Sequence, residues 1–367
     1  MRSVANHLCL AAAVLLLGTT SLRGADAFPF TRSIKKEYAL PATGSFNLEN
    51  QYGDVVIDTW ERERLKIEVT IRVEARNETA AQHIFDRIDI QIQNSPDEVS
   101  ARTILTGGNN WLNNQVDFRV DYRVWMPAGV QLKLRNRYGD ATVASLARSA
   151  DIGIEYGDLR LAAVGERLEL QLRYGNAEVT TVKTADVRLN YAELRIDETR
   201  DIELESAYSK ARIASAGSIR TTSRYDQLRV GAVRDFRFEG RYGNVKIERA
   251  ENVDVYSKYT QVEVGQVANK AELDMHYGGA QLDRVEKGFS NVRLVGRYAN
   301  YRVEVDEDAS FQLDSRGEHA DLPVPDRLQV ATDRQEGSSH ALRGHRGVAE
   351  ARSVITVRLN YGGANID

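Results

Sequence analysis

Apolar and polar residues alternate in short runs along most of the chain, and a tyrosine stands between one run and the next. When the tyrosine is counted as position zero, apolar residues recur at positions −6, −4, +3 and +5, and often at +8. Around Tyr242 these positions include Phe236, Phe238, Val245 and Ile247. Alternation with a period of two on both sides of a tyrosine predicts two short strands, each with one buried face.

The tyrosines return at a nearly constant interval. The tyrosines in this frame are Tyr52, Tyr138, Tyr156, Tyr174, Tyr191, Tyr208, Tyr225, Tyr242, Tyr259, Tyr277, Tyr298 and Tyr361. From Tyr138 to Tyr259 the interval stays nearly the same, and it lengthens only toward Tyr298. Constant spacing keeps each apolar position beside its counterpart in the next unit, whereas antiparallel hairpins tolerate changes in loop length. The sequence therefore favours an all-β, right-handed parallel β-helix (solenoid) of 17–18-residue rungs over an antiparallel meander.

A bend must follow each tyrosine. The apolar residues before it stand at even positions (−6 and −4), whereas those after it stand at odd positions (+3 and +5), so the buried face changes between zero and +3. Glycine often fills position +1, and Asp or Asn often fills +2, as in Tyr138-Gly139-Asp140. Glycine reaches positive φ without steric cost, and Asp or Asn accepts turn conformations. We therefore expect the glycine to make the bend and the tyrosine ring to pack at the corner, near stacking distance from the next ring. An exposed aromatic stripe that stacks on sugar rings is the functional alternative.

Residues 65–126 interrupt the repeat directly after its first unit. The alternating segment LKIEVTIRVEA (65–75) predicts a strand, and strands are also expected over 88–93 and 116–126. Between them, Asn77 is a candidate N-cap, and Ala81, Ile84, Phe85 and Ile88 lie at helical spacing. An open strand edge needs a cover, so we expect this small α/β insert to cap the N-terminal end.

Residues 305–351 lose the repeat, and the chain then returns to one more unit around Tyr361. The polar stretch QEGSSHALRGHRG (335–347) predicts a loop. The expected division of the chain is a signal at 1–27, a first rung plus N-terminal cap at 28–129, a solenoid at 130–305, and a C-terminal loop with the final rung at 306–367.

The N-terminal segment 1–27 has the three-part pattern of a Sec-type secretory signal. Arg2 is followed by the apolar run LCLAAAVLLLG (8–18) and by small residues at Ala25 and Ala27. The run is too short to span a bilayer, although a buried helix is an alternative. The only cysteine, Cys9, lies in this segment, so no disulfide is expected after cleavage. We expect a periplasmic or cell-surface protein with no transmembrane segment in the mature chain.

The net charge of −4, with both signs interspersed, does not predict a nucleic-acid partner. A phosphate-binding loop, a cysteine-based metal motif and a nucleophile elbow are all missing from the sequence, so no catalytic residue and no cofactor is expected. His319, His340 and His345 fall in the polar C-terminal region, where solvated histidines are more common than a metal site. The expected function is therefore not enzymatic.

Asp140 and Asp158 offer the one candidate for acid and base chemistry. Both occupy position +2, so their carboxylates would stack about 5 Å apart and bind a cation or act on a polysaccharide as a hydrolase or lyase. The row continues with Glu193 and Lys210, a mixture that breaks an acidic row. The alternative is that these residues are chosen for the turn itself.

Position +4 carries a row of basic residues on the outward face. The row consists of Arg195, Arg212, Arg229 and Lys246. A linear polyanion, such as an acidic glycan or the phosphates of lipopolysaccharide, would fit it. Nearby acids such as Glu193 and Glu248 would instead make it a solvated lattice of ion pairs.

Trp111 lies in the polar segment TGGNNWLNNQ and is a second candidate for binding. It would contact a sugar or an envelope protein partner, or else fold down over the cap.

The units FNLENQYGDVVIDTW and QLKLRNRYGDATV, together with the signal and the helix-bearing insert, resemble a bacterial family of secreted proteins known as putative adhesins. The resemblance covers most of 44–305 and 353–367. It implies a β-solenoid at the envelope of Gram-negative bacteria with a structural or adhesive role, and it supplies no active site. Units without the glycine, such as NYAELRI and SAYSKARI, depart from this motif and leave their turn type open.

Overall fold

The computed structural model describes residues 27–106 and 117–367. This described part of the chain is nearly all β, with one helix and a single sheet of 20 strands that pair mostly in parallel. The N-terminal elements are β1 (Phe28–Ala39), β2 (Ser45–Gln51), β3 (Val55–Trp60), β4 (Arg64–Ala75), α1 (Glu78–Phe85), β5 (Ile88–Asn94), β6 (Glu98–Leu105) and β7 (Asp117–Pro127). The central strands are β8 (Gln131–Arg137), β9 (Ala141–Val143), β10 (Ala150–Glu155), β11 (Leu159–Arg173), β12 (Asn176–Asn190), β13 (Glu193–Ala207), β14 (Lys210–Arg224) and β15 (Gln227–Val285). The C-terminal strands are β16 (Asn291–Val305), β17 (Phe311–Asp321), β18 (Gln329–Glu336), β19 (Ser339–Arg346) and β20 (Val354–Ile366).

Central strands pair in parallel with the strand of the next unit, in the register that the tyrosine spacing predicts. Ala150 of β10 faces Leu168 of β11, which is its counterpart in the following unit. Glu193 of β13 faces Lys210 of β14, and both stand at position +2 of their units. This parallel pairing excludes the antiparallel meander for the repeat. The inward residues form one contiguous apolar core, in which Phe46 and Phe238 are fully buried.

The bend differs from the sequence expectation, because the tyrosine itself adopts the left-handed conformation. All twelve tyrosines of the frame have φ between 51° and 60°, whereas the described glycines at position +1 have no positive φ except Gly362. The rings stack along the sheet with centroids 4.8 to 5.3 Å apart. Eleven of the twelve are 37 to 52% exposed, so the ring edges lie in water and the expectation of rings packed into the corner is wrong.

The glycine after the tyrosine is needed for close approach. A Cβ atom on Gly157 would lie 2.1 Å from the carbonyl oxygen of Gly139 in the neighbouring unit. The five units without glycine, those of Tyr191, Tyr208, Tyr225, Tyr259 and Tyr298, keep the same bend, with φ of 51° to 59°. Their +1 side chains are buried; these are Ala192, Ser209, Asp226, Thr260 and Ala299.

At the N-terminal end, β2 pairs in parallel with β8 on one side and with β6 on the other. In the same way, β3 pairs in parallel with β9 and with β7. Antiparallel strands then follow, with β5 on β6, β4 on β7 and β1 on β4. The predicted strands and helix are present, and the Asn77 side chain accepts the N–H of Ala80 at 2.9 Å. Ile88, which was placed on the helix, begins β5 instead. The mostly exposed β1 has no buried alternation that would have predicted it.

The C-terminal end is interlocked. β20 pairs in parallel with β16 on one side and with β17 on the other, so the last unit of the sequence is not the last layer of the sheet. β17 is a further repeat unit, because His319 has φ of 51° and its ring stacks on Tyr361 at 4.8 Å. The predicted loop at 335–347 is wrong, since β18 and β19 form an antiparallel hairpin there.

Several sequence predictions lie outside the described residues. These are residues 1–26 of the predicted signal, with Cys9, and the segment 107–116, which holds Trp111. Across residues 27–106 and 117–367, no helix combines the length and the apolar character needed to cross a membrane.

Candidate ligand-binding surface

The basic row at position +4 is brought together by the parallel register. Arg195 faces Arg212 across β13 and β14, and Arg212 faces Arg229 across β14 and β15. These residues and Lys246 are all exposed. Neighbouring strands of a sheet lie about 4.8 Å apart, so the row presents one cation per layer.

Acidic residues neutralise part of this row. Arg212 forms an ion pair with Glu193, and Lys246 forms one with Glu263. Arg195 contacts Asp197 of its own strand at 3.2 Å. Arg229 has no salt bridge with any residue in the described part of the chain. Exposed ion pairs of this kind contribute little to stability and exchange readily with other anions. The row is therefore partly neutralised, and Arg229 is its open position.

The candidate acid pair has a structural role. The Asp140 carboxylate accepts the backbone N–H of Asp158 at 2.9 Å, and the Asp158 carboxylate accepts the backbone N–H of Asn176 at 2.8 Å. Asp54 accepts the N–H of Asp140 in the same way at 3.0 Å. Each carboxylate thus satisfies a turn amide of the next layer, which would otherwise be left without a partner. We call this series from Asp54 to Asn176 the aspartate ladder.

The aspartate ladder ends where the backbone takes over its function. The N–H of Glu193 donates to the carbonyl of Gly175 at 3.0 Å, and the N–H of Lys210 donates to the carbonyl of Ala192 at 2.9 Å. The side chain at +2 no longer has to accept the turn N–H of the next layer, so the residue type at this position varies from Glu193 onward. The turn interpretation of Asp140 and Asp158 therefore accounts for both the regular and the mixed part of the row.

The three C-terminal histidines do not converge. The His319 ring stacks on Tyr361, His340 contacts Asp333 at 2.9 Å, and His345 lies on β19. Within residues 27–106 and 117–367, no group of three His, Cys, Asp or Glu side chains is placed to hold a metal ion.

A broad depression of about 790 Å³ lies near the N-terminal end, and two of its arginines pair with acids of its own wall. Arg102 contacts Glu49 at 2.6 Å. Arg137 donates to Glu155 through Nε at 2.8 Å, and this hydrogen bond raises the pKa of Arg137.

A buried polar cluster lies beside this depression. The side chain of Thr103 lies 2.9 Å from the hydroxyl of Tyr122 and donates to the side-chain oxygen of Asn50 at 2.9 Å. Burial raises the pKa of Tyr122 to about 12. A phenol that stays protonated inside a satisfied network is a core contact and offers no general base.

The stacked tyrosines, which we call the tyrosine ladder, cannot bind sugars by their ring faces. Interplanar angles along the tyrosine ladder are 2° to 14°, and each inner ring has a neighbour on both faces. Only the ring edges and hydroxyls are open to a ligand. The stacking alternative raised by the sequence is therefore not available along the tyrosine ladder.

Sequence reasoning missed a second basic row at position −1. Its members are Arg224, Arg241, Lys258, His276 and Arg297. Arg224 faces Arg241, and His276 faces Arg297, in the parallel register. The signal for this row is in the sequence, because position −1 is basic or His in five successive units.

The solved structures that resemble this chain are distant. A "putative adhesin" from Bacteroides fragilis NCTC 9343 is 12% identical, over 59% of this chain and 97% of that one, with a TM-score of 0.38. A second "putative adhesin", from Parabacteroides merdae ATCC 43184, is 10% identical over 74% and 95%, with a TM-score of 0.35. A "putative lipid binding protein" from Parabacteroides distasonis ATCC 8503 is 8% identical over 92% and 96%, with a TM-score of 0.24.

Identities and TM-scores this low do not transfer a ligand or an activity to this chain. No protein-family model matches the sequence, and no curated protein matches it either. The function of this chain is therefore inferred from the surface of the molecule.

Proposed function

We propose that this protein is a non-enzymatic, adhesin-like binding or scaffold module of the bacterial cell envelope that holds an anionic glycan along Arg195, Arg212, Arg229 and Lys246. One observation carries the proposal: the parallel register aligns Arg195, Arg212 and Arg229 in successive layers. A polymer with regularly spaced charges gains one contact per layer, so weak contacts add along its length.

The proposed architecture is a right-handed β-solenoid of 17–18-residue rungs, with 28–129 as first rung and cap, 130–305 as the body, and 306–367 as the C-terminal end. Strand registers that match the tyrosine spacing support it, and parallel crossovers are almost always right-handed. Export by the signal at 1–27 to the periplasm or the cell surface belongs to the same proposal. The packed core supports a role for the outer surface rather than for an internal cavity.

The enzymatic alternative loses its candidate site, because the carboxylates of Asp140 and Asp158 accept backbone N–H groups of the next layer. Capture of an envelope protein through Trp111 stays a hypothesis about a residue outside the described part of the chain. A Trp111→Ala variant that loses partner capture while glycan binding is unchanged would support that hypothesis.

The test is binding of the full chain to a glycan array that includes polyuronates and their neutral counterparts. The variant Arg195→Ser/Arg212→Ser/Arg229→Ser should bind acidic glycans about tenfold more weakly or worse, because charge-assisted hydrogen bonds are lost. Added salt should weaken binding of the unmodified protein more than binding of the variant.

A matched control removes the same charge elsewhere. Lys36→Ser/Arg72→Ser/Arg76→Ser lies at the N-terminal end, on exposed residues. This control should bind as the unmodified protein does. Equal binding by the unmodified protein and the basic-row variant would remove the row from consideration, and depolymerisation of an acidic glycan would overturn the non-enzymatic proposal.

A further inference from the structure

The second basic row lies directly beside the tyrosine ladder. Arg224, Arg241, Lys258, His276 and Arg297 each precede a tyrosine of the tyrosine ladder, from Tyr225 to Tyr298. The guanidinium carbon of Arg297 is 5.8 Å from the centroid of the Tyr298 ring. Cations and tyrosine edges therefore form one continuous surface over five successive layers, which we call the ladder ridge.

The cations of the ladder ridge are not neutralised by the protein. Arg224, Arg241, Lys258 and Arg297 form no salt bridge with any residue that the structure describes, and all four are exposed. Only His276 has an acidic contact, with Asp274 at 3.7 Å. Further toward the N-terminus, the same position holds Arg137, which pairs with Glu155. Positive charge is thus concentrated between Tyr225 and Tyr298.

The opposite flank of the tyrosine ladder is neutral and rich in amides. Position +2 in these layers holds Gln227, Asn244, Gln261, Gly279 and Asn300. Amide side chains donate and accept hydrogen bonds, and tyrosine hydroxyls do the same. A ligand on the ladder ridge would meet cations on one side, hydroxyls in the middle and amides on the other.

We propose that the ladder ridge binds a linear, carboxylate-bearing glycan that runs along the tyrosine ladder from Tyr225 to Tyr298. Ring centroids in this section are 4.8 to 5.0 Å apart, close to the length of one sugar ring, so each layer would meet one sugar. Carboxylates contact the cations, and sugar hydroxyls contact the tyrosine hydroxyls and the amides.

A nucleic acid fits this surface less well. Proteins that hold single strands without sequence preference stack the bases on aromatic ring faces. Here those faces are covered by the neighbouring tyrosines. Edge-exposed hydroxyls and amides match sugar hydroxyls instead, so the glycan is the occupant that the geometry favours.

This inference rests on the proposed function only for the ligand class, an anionic glycan. The residues of the ladder ridge are different from those of the basic row at position +4. The experiment measures binding of the full chain to oligogalacturonate, to a neutral glucan of similar length and to single-stranded oligothymidylate. The unmodified protein should bind oligogalacturonate in preference to both others. The variant Arg241→Gln/Lys258→Gln/Arg297→Gln should bind it about tenfold more weakly or worse, with an unchanged unfolding transition since no described ion pair is lost.

Two further variants separate the possible outcomes. Tyr242→Phe/Tyr259→Phe keeps the stacked rings and removes two hydroxyls, so it should weaken oligogalacturonate binding by roughly two- to tenfold. Lys36→Gln/Arg72→Gln/Arg76→Gln removes equal charge at the N-terminal end and should leave binding unchanged.

Unchanged binding by the ladder-ridge variant would overturn this inference. If the Arg195→Ser/Arg212→Ser/Arg229→Ser variant then loses binding, the proposed function stands without it. Tighter binding of oligothymidylate than of oligogalacturonate would overturn the ligand class.

Discussion

Tyrosine at positive φ is an unusual choice, since a side chain in the left-handed region costs about 1–2 kcal/mol. In this protein the conformation points every ring along the same line, where it stacks on the rings above and below. Each aromatic pair contributes about 0.5–1.5 kcal/mol beyond the area that it buries. The backbone strain of a tyrosine such as Tyr208 is therefore offset by its two neighbours, and a lone tyrosine would not gain this.

At the residue scale, two glycines at the same position of the repeat should respond differently to alanine. A Cβ on Gly157 would lie 2.1 Å from the carbonyl oxygen of Gly139, and a Cβ on Gly243 would lie 3.1 Å from that of Asp226. We expect Gly157→Ala to lower the free energy of unfolding by about 3 kcal/mol or more, because backbone must move. Gly243→Ala should lower it by about 1 kcal/mol or less.

Urea unfolding followed by circular dichroism measures both glycine variants. The Gly243→Ala protein serves as the control for the change of residue type alone. Equal effects of the two substitutions would show that conformational freedom, rather than close approach of the layers, explains the glycine after the tyrosine.

At the scale of elements, neighbouring turns are joined in two ways. In the first layers the aspartate ladder makes the link through side chains, and from Glu193 onward the backbone carbonyl makes it. The change explains why Asp and Asn dominate the early turns and why Glu193 and Lys210 are tolerated later. A side-chain link depends on one residue type, whereas a backbone link does not.

Substitution of Asp158 tests the aspartate ladder. Its Oδ1 accepts the backbone N–H of Asn176 at 2.8 Å and the Asn176 Nδ2–H at 3.0 Å. Asp158→Ala should lower the free energy of unfolding by about 1–2 kcal/mol, because a turn amide loses its acceptor. Asp158→Asn keeps an oxygen acceptor and should have a smaller effect. The thermal unfolding midpoint measures both.

Calcium provides the control for the alternative use of these carboxylates. If the aspartate ladder is structural, millimolar calcium should leave the unfolding midpoint of the unmodified protein unchanged. A calcium-dependent rise that the Asp158→Ala variant lacks would favour a cation site instead, since ligands that bind only the folded state stabilise it.

At the scale of the whole molecule, the first and the last unit of the repeat in the sequence are not the outermost parallel layers of the sheet. Each of them is the second layer from its end. β2 and β3 lie between β8 and β9 on one side and β6 and β7 on the other, and β20 lies between β16 and β17. The outermost parallel layers then carry antiparallel strands, β5 and β4 at one end and β19 at the other. The edges of the parallel layers, which could otherwise pair with other chains, are therefore covered.

Truncation before Ser353 tests the interlocked C-terminal end. Without β20, the strands β16 and β17 lose their shared neighbour, and β18 and β19 lose their support. Hydrogen exchange should show lost protection across residues 291–346, because stability in such an array depends on adjacent layers. Amides of β10 to β13 in the same sample serve as the internal control and should stay protected. Loss of protection along the whole chain would show that the molecule unfolds as one unit.

The sequence by itself determined the repeat, its parallel register and the helix α1. It could do so because a constant spacing and a period-two alternation leave few ways to bury one face of every strand. The basic row at Arg195, Arg212 and Arg229 followed from the same register. The residues of β1 and of the β18–β19 hairpin are mostly exposed, so no buried pattern marked them.

Only the tertiary structure decided which residue bends the chain, what the carboxylates bind and which unit comes last. Each answer depends on an atom of a neighbouring layer: the ring that stacks on Tyr208, the amide that donates to Asp158, and the strands on both sides of β20. Residue spacing along one chain specifies register, but contacts between layers are set by packing in three dimensions.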